Sequence, residues 1–363
     1  MKYFLFYFRR IDWILTISVL LLATLGLLMI YSIGSGRGSF VFFKRQVFFL
    51  VGGLALMFLM SLVDWRIFRD SPYLILGLYF ISLLALLGLF FFVSPIRGTV
   101  GWYKIGSFSF DPIEPVKIIL IILLAKYFST RHIEMYSKKH ILLSGFYVLA
   151  PAALIFLQPD LGSVLVLLAF WLGILIVSGI RLKHLLVLFF CGILIFIFGW
   201  LFLLKDYQKE RIISFIAPQI DPLGIGWSQT QSKIAIGSGG FWGQGLFKGS
   251  QTQYGFLPEA HTDFIFASIS EELGFVGVVF LFLLFFLLFS RIIKIAIEAN
   301  SNFPRLFAIG FGIMIFVQFF IHIGMNLGIL PVVGISLPFI SYGGSALIFL
   351  FIGIGILQSI KLH

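Results

Sequence analysis

Glu259, His261 and Asp263 stand on alternate residues in LPEAHTDFIF, where a polar, glycine-rich stretch beginning near Gly237 gives way to a new apolar run. In an extended approach, alternate residues share one face, so the three side chains would point together into a pocket. Carboxylates beside an imidazole suit acid-base chemistry. Carboxylate oxygens also suit a divalent cation, Mg²⁺ or Mn²⁺, with Asp263 and Glu259 the nearest candidate ligands. The competing role for Asp263 is local, because aspartate is a favoured cap for the helix that follows.

Two further groups of polar side chains sit beside long apolar runs. Glu114 and Lys117 lie one turn apart in FDPIEPVKIIL, where Pro112 and Pro115 fit the first turn of a helix. They form either an i,i+3 ion pair or a substrate site in which Lys117 binds phosphate and Glu114 orients it; the two roles are compatible. Asp160 in QPDLG precedes another apolar run, where a carboxylate complements the helix dipole. Between Tyr207 and Gly240, Arg211 and Lys233 stand among glycines and amides, and the spacing of Ile212, Ile213, Phe215 and Ile216 predicts a short surface helix.

The elements that position these residues follow from composition. Of 363 residues 60% are hydrophobic and only 11% charged, with 46 Phe, which excludes a soluble domain of this length. The chain reads as an all-α integral membrane protein with about ten transmembrane helices, at 12–32, 42–63, 73–93, 112–129, 140–157, 161–179, 184–204, 264–290, 304–325 and 340–360. The first run is long enough to span and no A-x-A-like site follows it, so it reads as a retained helix and not as a cleaved leader. Lys2, Arg9, Arg10, Arg66, Arg69, Arg131, Lys138, Lys139, Arg181, Lys183, Arg291, Lys294 and Arg305 fall on one side, which places both termini in the cytoplasm. That orientation accounts for the net charge of +11, and no basic run with interleaved aromatics points to nucleic acid. Residues 1–363 read as a single membrane domain, with 205–263 a large extracytoplasmic loop between helices 7 and 8. Cys191, in an apolar run, reads as a small buried hydrophobe.

Several stretches together resemble the SEDS family of cell-wall polymerases, and within it the RodA subfamily more than the FtsW or SpoVE branches. They are FKRQ (43–46), WYKIGSFSFDPIEPVK (102–117), QPDLGS (158–163), RIISFIAPQIDPLGIGWSQTQSKIAIGSGGFWGQG (211–245), LPEAHTDFIFASISEELGFVG (257–277) and GMNLGILPVVGISLPFISYGGSAL (324–347), in the family's order. The resemblance implies a peptidoglycan glycosyltransferase that polymerises lipid II at the outer face of the bacterial cytoplasmic membrane during elongation. The family's essential aspartate maps onto Asp263. Lys117, Glu114, Arg211, Lys233, Gln253 in GSQTQ, His261 and Ser341 in SYGGS make up the candidate substrate-binding set. A class B penicillin-binding protein and the elongation proteins MreC and MreD are the implied partners.

The chain departs from the family pattern at Gly101, where arginine is usual before Trp102, at Asp111 to Glu114, which stand for Q-P-S-E, at His322 for asparagine, and at Ser336 for proline. Two other classes of function compete: a flippase or transporter of lipid-linked precursors, and a non-catalytic scaffold. A transporter would hold its charges near the midplane on interrupted helices, whereas here they gather at the outer boundary. A scaffold has little use for convergent acidic residues.

Overall fold

The apolar runs fold as helices because a chain in lipid must satisfy its own backbone polar groups. The computed structural model describes residues 10–93, 101–106, 108–130, 138–204, 209–210, 213, 215 and 225–363. In chain order the helices are α1 (Trp13–Gly36), α2 (Val41–Leu62), α3 (Arg66–Asp70) and α4 (Pro72–Phe92). A hairpin of β1 (Tyr103–Ile105) and β2 (Phe108–Phe110) pairs Tyr103 with Phe110. Then come α5 (Ile113–Ser129), α6 (Lys138–Leu157), α7 (Leu161–Val177) and α8 (Leu182–Phe198), the last continued by a π-helical turn, Gly199–Leu203. The series closes with α9 (Ile225–Gly239), α10 (Ser250–Gln253), α11 (Ile265–Glu298), α12 (Asn302–Leu327) and α13 (Gly344–Leu362).

Among the described residues eight helices are long and apolar enough to cross a bilayer: α1, α2, α4, α6, α8 with its π-helical end, α11, α12 and α13. The chain is an all-α, multi-pass membrane protein. The expected fourth and sixth spans are α5 and α7, each of 17 residues, or roughly 25 Å at the helical rise. Arg211 and most of the surface helix expected around Ile212 to Ile216 lie outside the described residues.

The helices α5 and α12 form the centre of the bundle, with Leu120, Ile121, Leu124, Phe307 and Phe311 fully buried. The other extreme is α8, which buries none of its residues. Cys191, expected to be buried, is exposed on α8. An all-apolar helix carries no stripe that separates a core-facing side from a lipid-facing one, so sequence misplaced it. The 34-residue α11 bends at Gly274, whose φ of 66° and ψ of −164° are not helical. A Cβ there would collide with the backbone of Phe241 and Gly243, so only glycine lets the 240s loop pack against the bend.

Charge separates the two ends of the bundle. At one end Asp12 caps α1, accepts from Arg291 at the far end of α11, and exchanges hydrogen bonds with Gln358 of α13. The opposite end gathers the starts of α5, α7, α11 and α13, and with them Asp111, Glu114, Asp160, Glu259 and Asp263.

Candidate functional site

The segment before α11 is a helical turn, and this corrects the extended approach expected for it. The amides of Thr262, Asp263 and Phe264 all donate to the carbonyl of Glu259, at 3.1, 3.1 and 3.3 Å. A turn satisfies these amides locally as the chain leaves water, which a lone extended strand does not. Its consequence is a different sharing of faces. Glu259, at a φ of 42°, and Asp263 are each half-buried, whereas His261 turns inward. The imidazole stacks on Phe42 with ring centroids 4.2 Å apart and lies beside Tyr342. Burial holds His261 below the ordinary imidazole value, with Glu259 opposing and Arg37 reinforcing, so the ring is neutral near pH 7. It brings no positive charge to a substrate.

Three successive carbonyls of this turn are tied to other elements. Tyr342 N donates to His261 O at 2.8 Å, Ser341 Oγ donates to Thr262 O at 2.8 Å, and Asn326 Nδ2 donates to Asp263 O at 2.9 Å. Ser341 is held in turn by Leu337 N, which donates to its Oγ, and by Gln46 Nε2, which donates to its carbonyl. Ser341 therefore spends its hydroxyl on the Asp263 turn, not on an open cavity. The same loop brings Gly334 close: a Cβ at that position would lie 3.9 Å from Asp263 Oδ2. The cap position of α11 falls on Phe264 and not on Asp263, and the amide of Ala267 in the first turn is satisfied by Asn326 Oδ1 at 3.2 Å.

The second cluster lies at the start of α5. Lys117 Nζ donates to Glu114 Oε1 at 2.8 Å, with the lysine side chain 4% and the glutamate 12% exposed, so the expected ion pair forms and is buried. Asp111 precedes it, donating its amide to Ser345 Oγ and accepting from Ile113 N at 2.8 Å. Desolvation first, then the Glu114 carboxylate, push half-buried Asp111 up to about 8, against the opposing pull of the Ile113 amide and Lys117. Asp160 caps α7 as expected, accepting from Ser163 N at 3.0 Å and Ser163 Oγ at 2.6 Å. Gly162, two residues on, packs against Val333 and Ile335 of the loop that also borders Asp263.

Lys233 is exposed on α9 and lies across Gly328 at the carbonyl end of α12, where a Cβ on the glycine would come within 2.5 Å of its Nζ. A cation is favoured there by the helix dipole. Gln253 is turned inward, donating to Ser32 O, Ser32 Oγ and Glu272 Oε1 at 3.2, 2.9 and 2.7 Å. Arg211 lies outside the described residues.

Sequence reasoning passed over the acidic pair Glu271 and Glu272, both almost fully buried in α11. Glu271 accepts from Ser250 Oγ, Gln251 N, Thr252 N and Thr252 Oγ1, and Glu272 from Ser32 Oγ, Gln253 Nε2 and Phe247 N. Two adjacent carboxylates inside an apolar helix were the signal that could have found them. They fasten the 244–253 loop to α1 and α11. Asn326 was missed as well, since an Asn near Gly328 reads as an ordinary helix end.

Among the described residues no three His, Cys, Asp or Glu side chains gather as a metal cage. Glu259 and Asp263, the expected carboxylate ligands, lie four residues apart and are each half-buried.

Comparison with known proteins fits this arrangement. The family described as "Cell cycle protein", that of FtsW, RodA and SpoVE, matches residues 12–363. The chain is 39% identical over 358 residues to "Peptidoglycan glycosyltransferase MrdB" of Escherichia coli (strain K12), covering 96% of this chain and 93% of that one. A solved structure described as "Structural coordination of polymerization and crosslinking by a peptidoglycan synthase complex" superposes with a TM-score of 0.83 at 34% identity, over 97% of each chain. The crystal structure of the rod shape determining protein RodA of Thermus thermophilus gives 0.71 at 30% identity, over 97% of this chain and 96% of that one. With its ordered motifs, its helical membrane bundle and a family match over nearly its whole length, the chain belongs to the SEDS family of FtsW, RodA and SpoVE.

Proposed function

We propose that this chain is a peptidoglycan glycosyltransferase that polymerises lipid II at the outer face of the bacterial cytoplasmic membrane, both termini lying in the cytoplasm. The observation that carries the chemistry is the half-buried Asp263 on a turn whose carbonyls at 261, 262 and 263 are each tied to another element. A base so held needs little reorganisation before it acts. The likeness to the Escherichia coli glycosyltransferase supports the reaction class.

In the reaction a sugar hydroxyl of the acceptor attacks the anomeric carbon of a donor linked to undecaprenyl diphosphate. The new glycosidic bond takes the oxygen's electron pair, and the anomeric carbon's bond to the phosphate oxygen breaks. Asp263 receives the hydroxyl proton as general base. The diphosphate departs with the bonding pair as a stable anion, so no general acid is needed, and one displacement inverts the anomeric centre. Positive charge steadies the departing anion, and Lys117, Lys233 and Arg211 are the candidates for it. A divalent cation held by Glu259 and Asp263 would add charge neutralisation at the diphosphate. The polyprenyl chain remains in the bilayer while its head group meets the outer polar cluster.

The complex to which the structural neighbour belongs couples polymerisation with crosslinking. We assign to this chain the polymerising role beside a class B penicillin-binding protein, in an elongation assembly with MreC and MreD.

The test is direct. Full-length protein in detergent is given labelled lipid II and the products are digested with muramidase. Wild type is expected to make digestible glycan strands, and Asp263→Asn is expected to make none at an unchanged melting temperature. Undiminished polymer from Asp263→Asn removes the residue from the mechanism.

A further inference from the structure

We infer that Asn326 is a positioning residue for Asp263, a role that rests on the reading of Asp263 as the base. The Asn326 side chain is fully buried at the end of α12, and each of its polar atoms is used. Its Nδ2 donates to Asp263 O at 2.9 Å and to His322 O at 2.8 Å, and its Oδ1 accepts from Ala267 N at 3.2 Å. One amide therefore holds the residue that bears the carboxylate and also the first turn of the helix that follows it. Its own carbonyl is fixed by Ser232 Oγ of α9 at 2.9 Å, so α9, α11 and α12 meet at this point.

The chemistry of these contacts requires a carboxamide. Asp263 O offers only an acceptor and Ala267 N only a donor, and both face the same buried side chain. Aspartate at 326 would keep the acceptor for Ala267 and turn a lone pair toward Asp263 O. Leucine would fill the volume and serve neither group. In either case the most favourable relief is for the 259–264 turn to shift, carrying the Asp263 carboxylate with it. The neighbouring ties from Ser341 and Tyr342 act on Thr262 and His261, so neither replaces the hold on Asp263 itself.

The experiment compares wild type, Asn326→Ala, Asn326→Leu, Asn326→Asp and Asp263→Asn as full-length proteins, measuring kcat and KM for lipid II together with melting temperature. A positioning role predicts that kcat falls on the order of 10- to 100-fold in the Asn326 variants while KM stays within about twofold. A role in folding alone predicts normal kcat per folded molecule, and that result overturns the inference. If the Asn326 variants do not fold, Ser232→Ala carries the test, because it removes only the hydroxyl that fixes the Asn326 carbonyl. A lowered kcat at unchanged KM and melting temperature supports the role, and an unchanged kcat overturns it. Asp263→Asn separates the two readings. If it is inactive while the Asn326 variants keep wild-type kcat, only the positioning role fails; if it retains activity, the base assignment fails.

Discussion

Lys117 and Glu114 form a buried ion pair at the mouth of the bundle, with Nζ 2.8 Å from Oε1 and neither side chain more than 12% exposed. Removing one partner leaves the other charged in a poorly solvated place, which costs about 3–5 kcal/mol. Lys117→Ala is therefore expected to lower stability strongly. The paired replacement Glu114→Gln with Lys117→Met should regain most of it, because no lone charge remains. Polymerisation should stay impaired in the double variant if Lys117 also serves the substrate. Unfolding curves beside lipid II turnover check this, and full turnover in the stable double variant leaves the pair a purely structural role.

Asp111 gives the site a pH dependence of defined sign. Its carboxyl sits at about 8 in the folded protein, above the ordinary value of 3.8, because of burial and Glu114. Between those values the folded state keeps a proton that the unfolded chain has released. Its contribution therefore favours the fold at low pH and is lost as pH rises toward 8. Asp111→Asn should flatten the fall in stability between about pH 4 and 8, with the gain over wild type largest near pH 8. Melting temperature against pH for the two proteins is the measurement, and parallel curves would refute it.

Glu271 should matter for the loop more than for the reaction. It accepts from Gln251 N at 2.7 Å, Thr252 N at 3.0 Å and Thr252 Oγ1 at 2.7 Å, all close to or within the protein interior. Glu271→Ala strands these donors, at a cost of at least about 2 kcal/mol. Glu271→Gln, which keeps an acceptor, should cost less. Limited proteolysis between residues 240 and 258 should quicken in the alanine variant first.

A divalent cation held by Glu259 and Asp263, as proposed, would make turnover sensitive to chelation. Excess chelator is expected to depress the rate of lipid II polymerisation, and added Mn²⁺ or Mg²⁺ to restore it. Glu259→Gln should raise the cation concentration needed for half-maximal rate. Full activity in excess chelator would exclude an essential ion.

The amino-acid order alone determined that the protein lives in lipid, where its long helices begin, and that ionisable side chains gather near residues 111–117, 158–163 and 259–263. Those features are local: run length sets a span, and charge at a helix start marks the boundary. The Asp160 cap and the Glu114–Lys117 pair were legible for the same reason, since their partners lie within one helical turn.

Only the tertiary structure decided what each polar group faces. It turned His261 inward against Phe42, gave Gln253 to Ser32 and Glu272, gave Ser341 to Thr262, and left Cys191 on an exposed helix. It also joined Asn326 to Asp263 across 63 positions of chain. The physical reason is that an all-apolar helix has no preferred face, so rotation about its axis, and with it the partner of every buried polar side chain, is fixed by packing against neighbours distant in sequence.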